Sequence, residues 1–341
     1  MKQRTRALFG AVTGSLMIAT LAACGGSGGA AGSAVKVQLS IPDPLTSSVG
    51  VTAQHFADEV KAKSGGKIIV TVIPNGTSFG GDQAAAVTRL QGGSLDALIL
   101  STSVYAATDT KMNAISIPYL FADTTAEAAY LAGEPGKTLL ADLEEEKTKG
   151  LALFTRTARE ITNNKRPITK PADLKGLKIR VPGNTLWTEY FGALGASPTT
   201  MAFSEVFTGL QTGTIDGQEN PVEVPLTNKL YEVQDYLSMT NHINDAFILA
   251  LSEKKWSALD ESQKTILQDA ANETATFKTT YDADEAKKAV AELEKQGMKV
   301  NELSPEAIAE FQKISESLYP KFSELIGKEF FDTTIQFAQK S

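Results

Sequence analysis

The sequence predicts an α/β protein built as two α/β domains, and three observations carry that reading. The chain has 341 residues, about two domains' worth at roughly 150 residues each. Strand and helix signals alternate from Val35 onward, the pattern of βαβ units around a mostly parallel sheet. A second such block opens after Leu151-Ala-Leu-Phe-Thr155. Hydrophobic residues make up 42% and charged residues 21% of the chain, close to the globular average, so most of it is expected to fold.

The start of the chain stands outside that fold. Residues 1–23 read as a signal peptide: Lys2, Arg4 and Arg6 precede an uncharged run of 17 residues, Ala7 to Ala23. That run is short for a spanning helix, which needs ~20 apolar residues, and it ends in small residues as a secretory signal does. Leu21-Ala22-Ala23-Cys24 resembles the lipobox of bacterial lipoproteins, which implies a lipidated Cys24 as the mature N-terminus and attachment to the membrane by acyl chains. The alternative is a chance cysteine in an ordinary signal, although Cys24 is the only cysteine of the chain. Cleavage removes three basic residues and no acidic one, taking the net charge from −7 to −10. Residues 24–34 are then the lipidated cysteine and a Gly/Ser-rich linker, of which Gly25 to Ala34 spans ~17 Å as a flexible coil.

The folded part follows in order. Val35 to Ser40 alternates apolar and polar residues, as a half-buried strand does. Val49, Ala53, Phe56, Ala57 and Val60 recur at helical spacing, and Gly65-Gly66 closes that helix. Lys67 to Ile73 is a β-branched strand stopped by Pro74-Asn75-Gly76. Asp82 is a good N-cap for a helix to about Gln91, and Leu95 to Leu100 is the next strand. In the second block, Leu177, Ile179 and Val181 alternate with Lys178 and Arg180 in a strand that stops at Pro182. A helix over about Leu186–Leu194 and an extended stretch, Ser197 to Met201, come next. Ser204 is read as the cap of a helix reaching about Gln211, and Phe247 to Leu251 as an apolar strand. Asp260, with Gln263 in capping-box position, opens a long helical region that runs, with or without a break, to about Gln296. Ser304-Pro305-Glu306 starts a final helical segment.

Composition and motifs exclude several function classes. With 40 acidic against 33 basic residues, the chain lacks the basic balance of a nucleic-acid binder. One cysteine excludes a disulfide framework and a Cys-based zinc site. His55 and His242, the two histidines, give a metal little to bind; each is read as an ordinary structural histidine. Gly136-Lys137-Thr138 ends like a phosphate-binding loop, but the position of its first glycine holds Leu131. There is no GxGxxG turn for a dinucleotide and no GxSxG elbow for a nucleophilic serine. No cofactor and no metal is expected. Glu144-Glu145-Glu146 is most simply a solvated helix face.

Arg180 is different in kind. Its strand neighbours face a core, so it points the other way, at the carboxyl end of the strand, where open parallel sheets bind ligands. A guanidinium there presents a planar pair of donors that suits a carboxylate. Taken alone, a solvated arginine on a polar strand face, or one in a weak surface pair, is the better explanation.

The surroundings decide between the two. Asp173 to Asn220 reads DLKGLKIRVPGNTLWTEYFGALGASPTTMAFSEVFTGLQTGTIDGQEN, continued by Pro221 and by Tyr231-Glu-Val-Gln234. With Phe56-Ala-Asp-Glu-Val60, Gly92-Gly-Ser-Leu-Asp96 and Ile161-Thr-Asn-Asn-Lys-Arg-Pro167, this strongly resembles the solute-binding proteins of tripartite ATP-independent periplasmic (TRAP) transporters, over nearly the whole mature chain. The resemblance implies a periplasmic-binding-protein type II-like fold: two α/β domains around a ligand cleft, with a long helix bridging both. The first domain would take residues 35–155 plus about 247–285, and the second residues 156–246 plus about 286–341.

It also implies a non-enzymatic receptor that captures a small organic acid by hinge closure and hands it to a small and a large membrane permease subunit, outside the cytoplasm. The carboxylate-clamping arginine falls on Arg180, a second arginine on Arg159, the asparagine of the QENP segment on Asn220 and the pocket aromatic on Phe203. Asn184, after the RVP turn, is expected to face the ligand. Trp187, one helical turn further, is a candidate pocket wall or else a core residue. Sialic-acid binders of the family carry a glutamate where this chain has Ser101, which argues against sialic acid. Outside the family, the alternatives are a receptor for an ABC importer and a two-domain enzyme acting on acids.

Overall fold

The computed structural model describes residues 34–340; the signal segment, Cys24 and nearly all of the linker lie outside the described residues. Eleven strands are seen among them: β1 (Val35–Ser40), β2 (Ile68–Ile73), β3 (Ala97–Ser101), β4 (Thr148–Thr155), β5 (Arg159–Asn163), β6 (Lys178–Val181), β7 (Ser197–Thr200), β8 (Gly217–Pro221), β9 (Tyr236–Ile243), β10 (Ala246–Ser252) and β11 (Lys299–Glu302). They form two sheets, ordered β2-β1-β3-β10-β4 and β11-β9-β5-β8-β6-β7.

In the first sheet β1 lies parallel to β2 and β3, as the βαβ signals predict. The sheet is nevertheless mixed, because β10 runs antiparallel to both β3 and β4. The physical reason is connectivity. β4 leaves this sheet at Thr155 and β10 enters it from the second sheet at Ala246, opposite Thr155, so it runs back along β4. Alternate residues of β10 feed two cores: Phe247, Leu249 and Leu251 pack with Phe56 and Val60 of helix Ser48–Lys63, while Ile248 and Ala250 pack with Leu90, Tyr105 and Tyr130. The second sheet buries Ile161, Ile179 and Val181 against Leu186, Tyr190 and Phe191, with Phe311 and Phe322 of the C-terminal helices covering them.

Three connections join the two lobes. Arg156-Thr157-Ala158 carries β4 into β5, Asn244-Asp245 carries β9 into β10, and one long helix touches both lobes. That helix, Glu261–Lys295, is uninterrupted over 35 residues and starts with the predicted capping box. Its first turns place Leu267, Ala270 and Ala271 in the core of the first lobe, and its last place Ala289 and Leu293 beside Val222 and Leu237 of the second.

Local readings hold where a cap or period is strong. Asp82 accepts a hydrogen bond from the Ala85 amide as the N-cap of helix Gln83–Gln91. Ser204, in contrast, caps nothing: it sits inside a 3₁₀ turn, Phe203–Glu205, and the helix Val206–Gln211 begins after it. Glu144 to Glu146 occupy a turn after helix Glu134–Asp142 rather than a helix face.

Candidate functional site

The cleft between the lobes is lined by Asp43 and Gln83 of the first lobe, Ser101 at the end of β3 with Ser103 just beyond it, Arg156 of the first link, and Arg159, Arg180, Phe203 and Asn220 of the second lobe. Most of these polar residues arrive at a strand end or a link, and Gln83 opens helix Gln83–Gln91.

Arg180 follows from the alternation of β6. Ile179 and Val181 are fully buried in the core, so Arg180 emerges on the opposite face, 5% exposed. Its Nε and Nη2 both donate to the Met201 carbonyl, at 3.2 and 2.9 Å, and its guanidinium lies 5.8 Å from the centre of the Phe203 ring. No carboxylate reaches ion-pair distance of it among the described residues. Burial pushes its pKa down to about 10, against the pull of Glu219 and with some help from the neighbouring Arg159 charge. A buried guanidinium bonded to a carbonyl but to no carboxylate keeps an uncompensated charge.

The other two arginines are already engaged. Arg159 donates from Nε and Nη2 to the Glu219 carboxylate, at 2.5 and 3.0 Å, and from Nη2 to the Asn220 Oδ1 at 2.8 Å. Trp187 lies beneath its guanidinium, 4.5 Å from the ring centre. Arg156 donates to both oxygens of Asp245, at 3.0 and 2.9 Å, and Asp245 also accepts from Arg159 and from the Ser101 hydroxyl. Asp245 thus ties both links and both lobes together. Burial alone would raise the pKa of Glu219 and of Asp245, but the arginines outweigh it and hold both carboxyls below the ordinary range. Below them, Gln218 donates to the Thr162 hydroxyl and accepts from the Asn220 amide, so β8 is a buried polar strand whose members satisfy one another. Gly217 opens it because a Cβ there would come within 2.3 Å of the Thr162 carbonyl on β5.

Residues 41–325 match the family described as bacterial extracellular solute-binding protein, family 7. The chain belongs to this family, the solute-binding proteins of TRAP transporters. The 2,3-diketo-L-gulonate-binding periplasmic protein YiaO of Escherichia coli K12 is 32% identical, over 85% of this chain and 87% of its own. A sugar acid binding protein of Advenella mimigardefordensis in complex with galactonate has a TM-score of 0.87 at 30% identity, covering 90% of this chain and 99% of that one. A TRAP periplasmic solute-binding protein of Sulfurospirillum deleyianum with bound succinate has a TM-score of 0.83 at 26% identity, covering 89% and 98%. The two sheets and the bridging helix are therefore the periplasmic-binding-protein type II-like arrangement.

Within this TRAP solute-binding protein, five of the seven predicted binding residues line one cleft: Arg180, Arg159, Asn220, Phe203 and Ser101. The other two stand behind it. Asn184 caps helix Thr185–Ala193 through its Oδ1 and donates from Nδ2 to the Ser103 carbonyl and Asn113, across the lobes. Trp187 is fully buried and supports Arg159 from below instead of forming a wall. His242, read as an ordinary structural histidine, lies 3.5 Å from Glu219, and burial holds its pKa down. Arg156, Asp245, Glu219 and Asp43 were not singled out from the sequence. A signal for the first two exists in principle, since a charged residue stands between apolar strands at each lobe-to-lobe link.

Proposed function

We propose that the protein is a non-enzymatic receptor of a TRAP-type transporter that captures a small organic acid on Arg180 by hinge closure. The observation that carries this is the buried, carboxylate-free guanidinium of Arg180, facing a cleft in which Arg156 and Arg159 are already neutralised. The two moving bodies would be residues 35–155 with about 247–285, and 156–246 with about 286–341. Motion would occur at the Arg156–Ala158 and Asn244–Asp245 links. Arg159, Asn220, Phe203 and Ser101 complete the ligand contacts in this reading, and Asn184 and Trp187 position them. The names of relatives support an acid: diketo-gulonate, galactonate and succinate each carry a carboxylate.

Cys24, lipidated after signal removal, would hold the receptor at the outer face of the cytoplasmic membrane or in the periplasm, where it delivers the acid to the small and large permease subunits. Labelling with a radioactive or clickable fatty acid tests the anchor, and loss of label in Cys24→Ser is the expected result. A thermal-shift screen of C4-dicarboxylates, keto acids, hydroxy acids and sugar acids tests the ligand class. Shifts with neutral sugars and none with any carboxylate would overturn it.

A further inference from the structure

The three arginines of the cleft are not equivalent, and their difference limits how much negative charge a ligand can bring. Arg156 is matched by Asp245, and Arg159 by Glu219 with a share of Asp245. Arg180 alone of the three has no carboxylate within ion-pair distance. The remaining charged side chain that lines the cleft is Asp43, and it forms no ion pair among the described residues.

Asp43 stands on the first lobe just after β1, where its backbone carbonyl accepts from the Asn75 amide. Three groups face it: Arg156 from the first link, and Glu223 and Asn228 from the second lobe. Glu223 itself is held by the Thr157 hydroxyl at 2.9 Å. The lining of the cleft therefore holds an uncompensated cation, Arg180, and a carboxyl group, Asp43, on which the Glu223 carboxyl of the second lobe also acts. The same lining holds the neutral hydrogen-bonding side chains Gln83, Ser101, Ser103 and Asn220.

We infer that Asp43 is a specificity-determining residue: the cleft takes an acid with one carboxylate, on Arg180, and hydroxyl groups at its other end, and it rejects a second carboxylate beside Asp43. The inference rests on the carboxylate-binding reading of Arg180 and deepens it. The physical ground is that like charges brought together in a water-poor site are strongly unfavourable, which is how interfaces exclude wrong partners. The surroundings of Asp43 already disfavour negative charge. Burial and Glu223 raise its pKa to about 6 even with Arg156 nearby, so a second anion there has no unused cation to meet. A hydroxyl, by contrast, donates to Asp43 and accepts from Gln83 or Asn220.

The test is isothermal titration at pH 7.5 on the purified, unlipidated chain with two matched pairs that differ in the far group: galactonate with galactarate, and 4-hydroxybutyrate with succinate. In the wild type the monoacid should bind about thirtyfold or more tightly than its diacid partner. Asp43→Asn should narrow that gap roughly tenfold by tightening the diacid, with the monoacid changed less than about threefold. Asp43→Ser, which also removes the charge, should do the same, so a fault peculiar to one substitution is recognised. Equal affinity for both members of each pair in the wild type, or equal shifts of both in the variants, would overturn the role of Asp43 and leave the carboxylate-binding reading standing. Absence of binding for all four acids would overturn this inference, and it would take the carboxylate-binding reading with it where the thermal-shift screen also finds no response to any carboxylate.

Discussion

Arg180 and Arg159 look alike in the sequence, and the two side chains are expected to behave oppositely when replaced. Arg180→Lys keeps the charge and loses the paired donors. Losing one or two charge-assisted hydrogen bonds, each ~1.5–3 kcal/mol, should weaken acid binding roughly ten- to several-hundredfold by calorimetry. Arg180→Met should abolish binding yet raise the melting temperature of the ligand-free protein. The depressed pKa of about 10 corresponds to a burial cost of order 3 kcal/mol at 1.36 kcal/mol per unit, which the neutral side chain removes. Arg159→Met should instead destabilise the fold by ~3–5 kcal/mol in urea unfolding, because Glu219 is left buried without its partner. A ligand-free Arg180→Met that melts below wild type would contradict the account of an unpaired cation. The sequence resemblance located both arginines, but spacing could not tell which one is free, since that depends on carboxylates brought from β8 and from the second link.

At the scale of elements, the long helix carries an internal ion pair that periodicity alone does not reveal. Lys278 is fully buried, pairs with Asp282 one turn on and donates to the Ser48 hydroxyl of the first helix at 2.9 Å. Lys278→Met should cost ~3–5 kcal/mol by stranding Asp282, and the double variant Lys278→Met/Asp282→Leu should recover most of it. A double variant no better than the single one would argue against a stranded charge. The mouth of the cleft supplies a second test. Gly80 and Gly81 both have positive φ, at +68° and +78°, but a Cβ on Gly80 meets nothing within 4 Å while one on Gly81 would sit 3.3 Å from Ser204 Cβ on the other lobe. The backbone strain of a side chain is similar at the two sites, ~1–2 kcal/mol. Gly81→Val should therefore weaken ligand binding several-fold relative to Gly80→Val, whereas equal affinities would show that the mouth tolerates the added bulk. Strand β8 is not legible as an element for a related reason: Gly217-Gln-Glu-Asn-Pro221 is buried throughout, yet its side chains are polar and are satisfied by one another and by Arg159 and Thr162 of β5.

For the whole molecule, the buried acids set the pH range of stability. Burial raises the pKa of Glu127 and of Glu160 well above the ordinary carboxylate value. Both bind a proton more tightly folded than unfolded, so their contribution is fully present below the ordinary carboxylate pKa and is lost as pH rises through their raised values. Glu219 and Asp245, lowered by the arginines, contribute above the ordinary range and lose that contribution as pH falls through their lowered values. Ligand-free stability should thus pass through a maximum. Glu127 touches the second link, accepting from the Asn244 amide at 3.2 Å, and Glu127→Gln should flatten the alkaline fall without moving the acid one. An unchanged alkaline slope in urea unfolding at stepped pH would count against it. A bound acid at ~100 times its dissociation constant should add ~2.7 kcal/mol.

The sequence by itself determined the α/β class, the caps at Asp82 and Asp260, the periodic strands and helices, and, through its resemblance, the family and the position of Arg180. These are local: a cap or an alternating strand depends on residues a few positions apart. Only the tertiary structure decided that β10 inserts antiparallel, that Trp187 lies under Arg159, and that Asp245 joins both links. The same holds for which arginine is neutralised and for Asp43 sharing a cleft with Arg180. Net charge at a site is a sum over side chains 60 to 144 residues apart in the chain, and no local pattern encodes that sum.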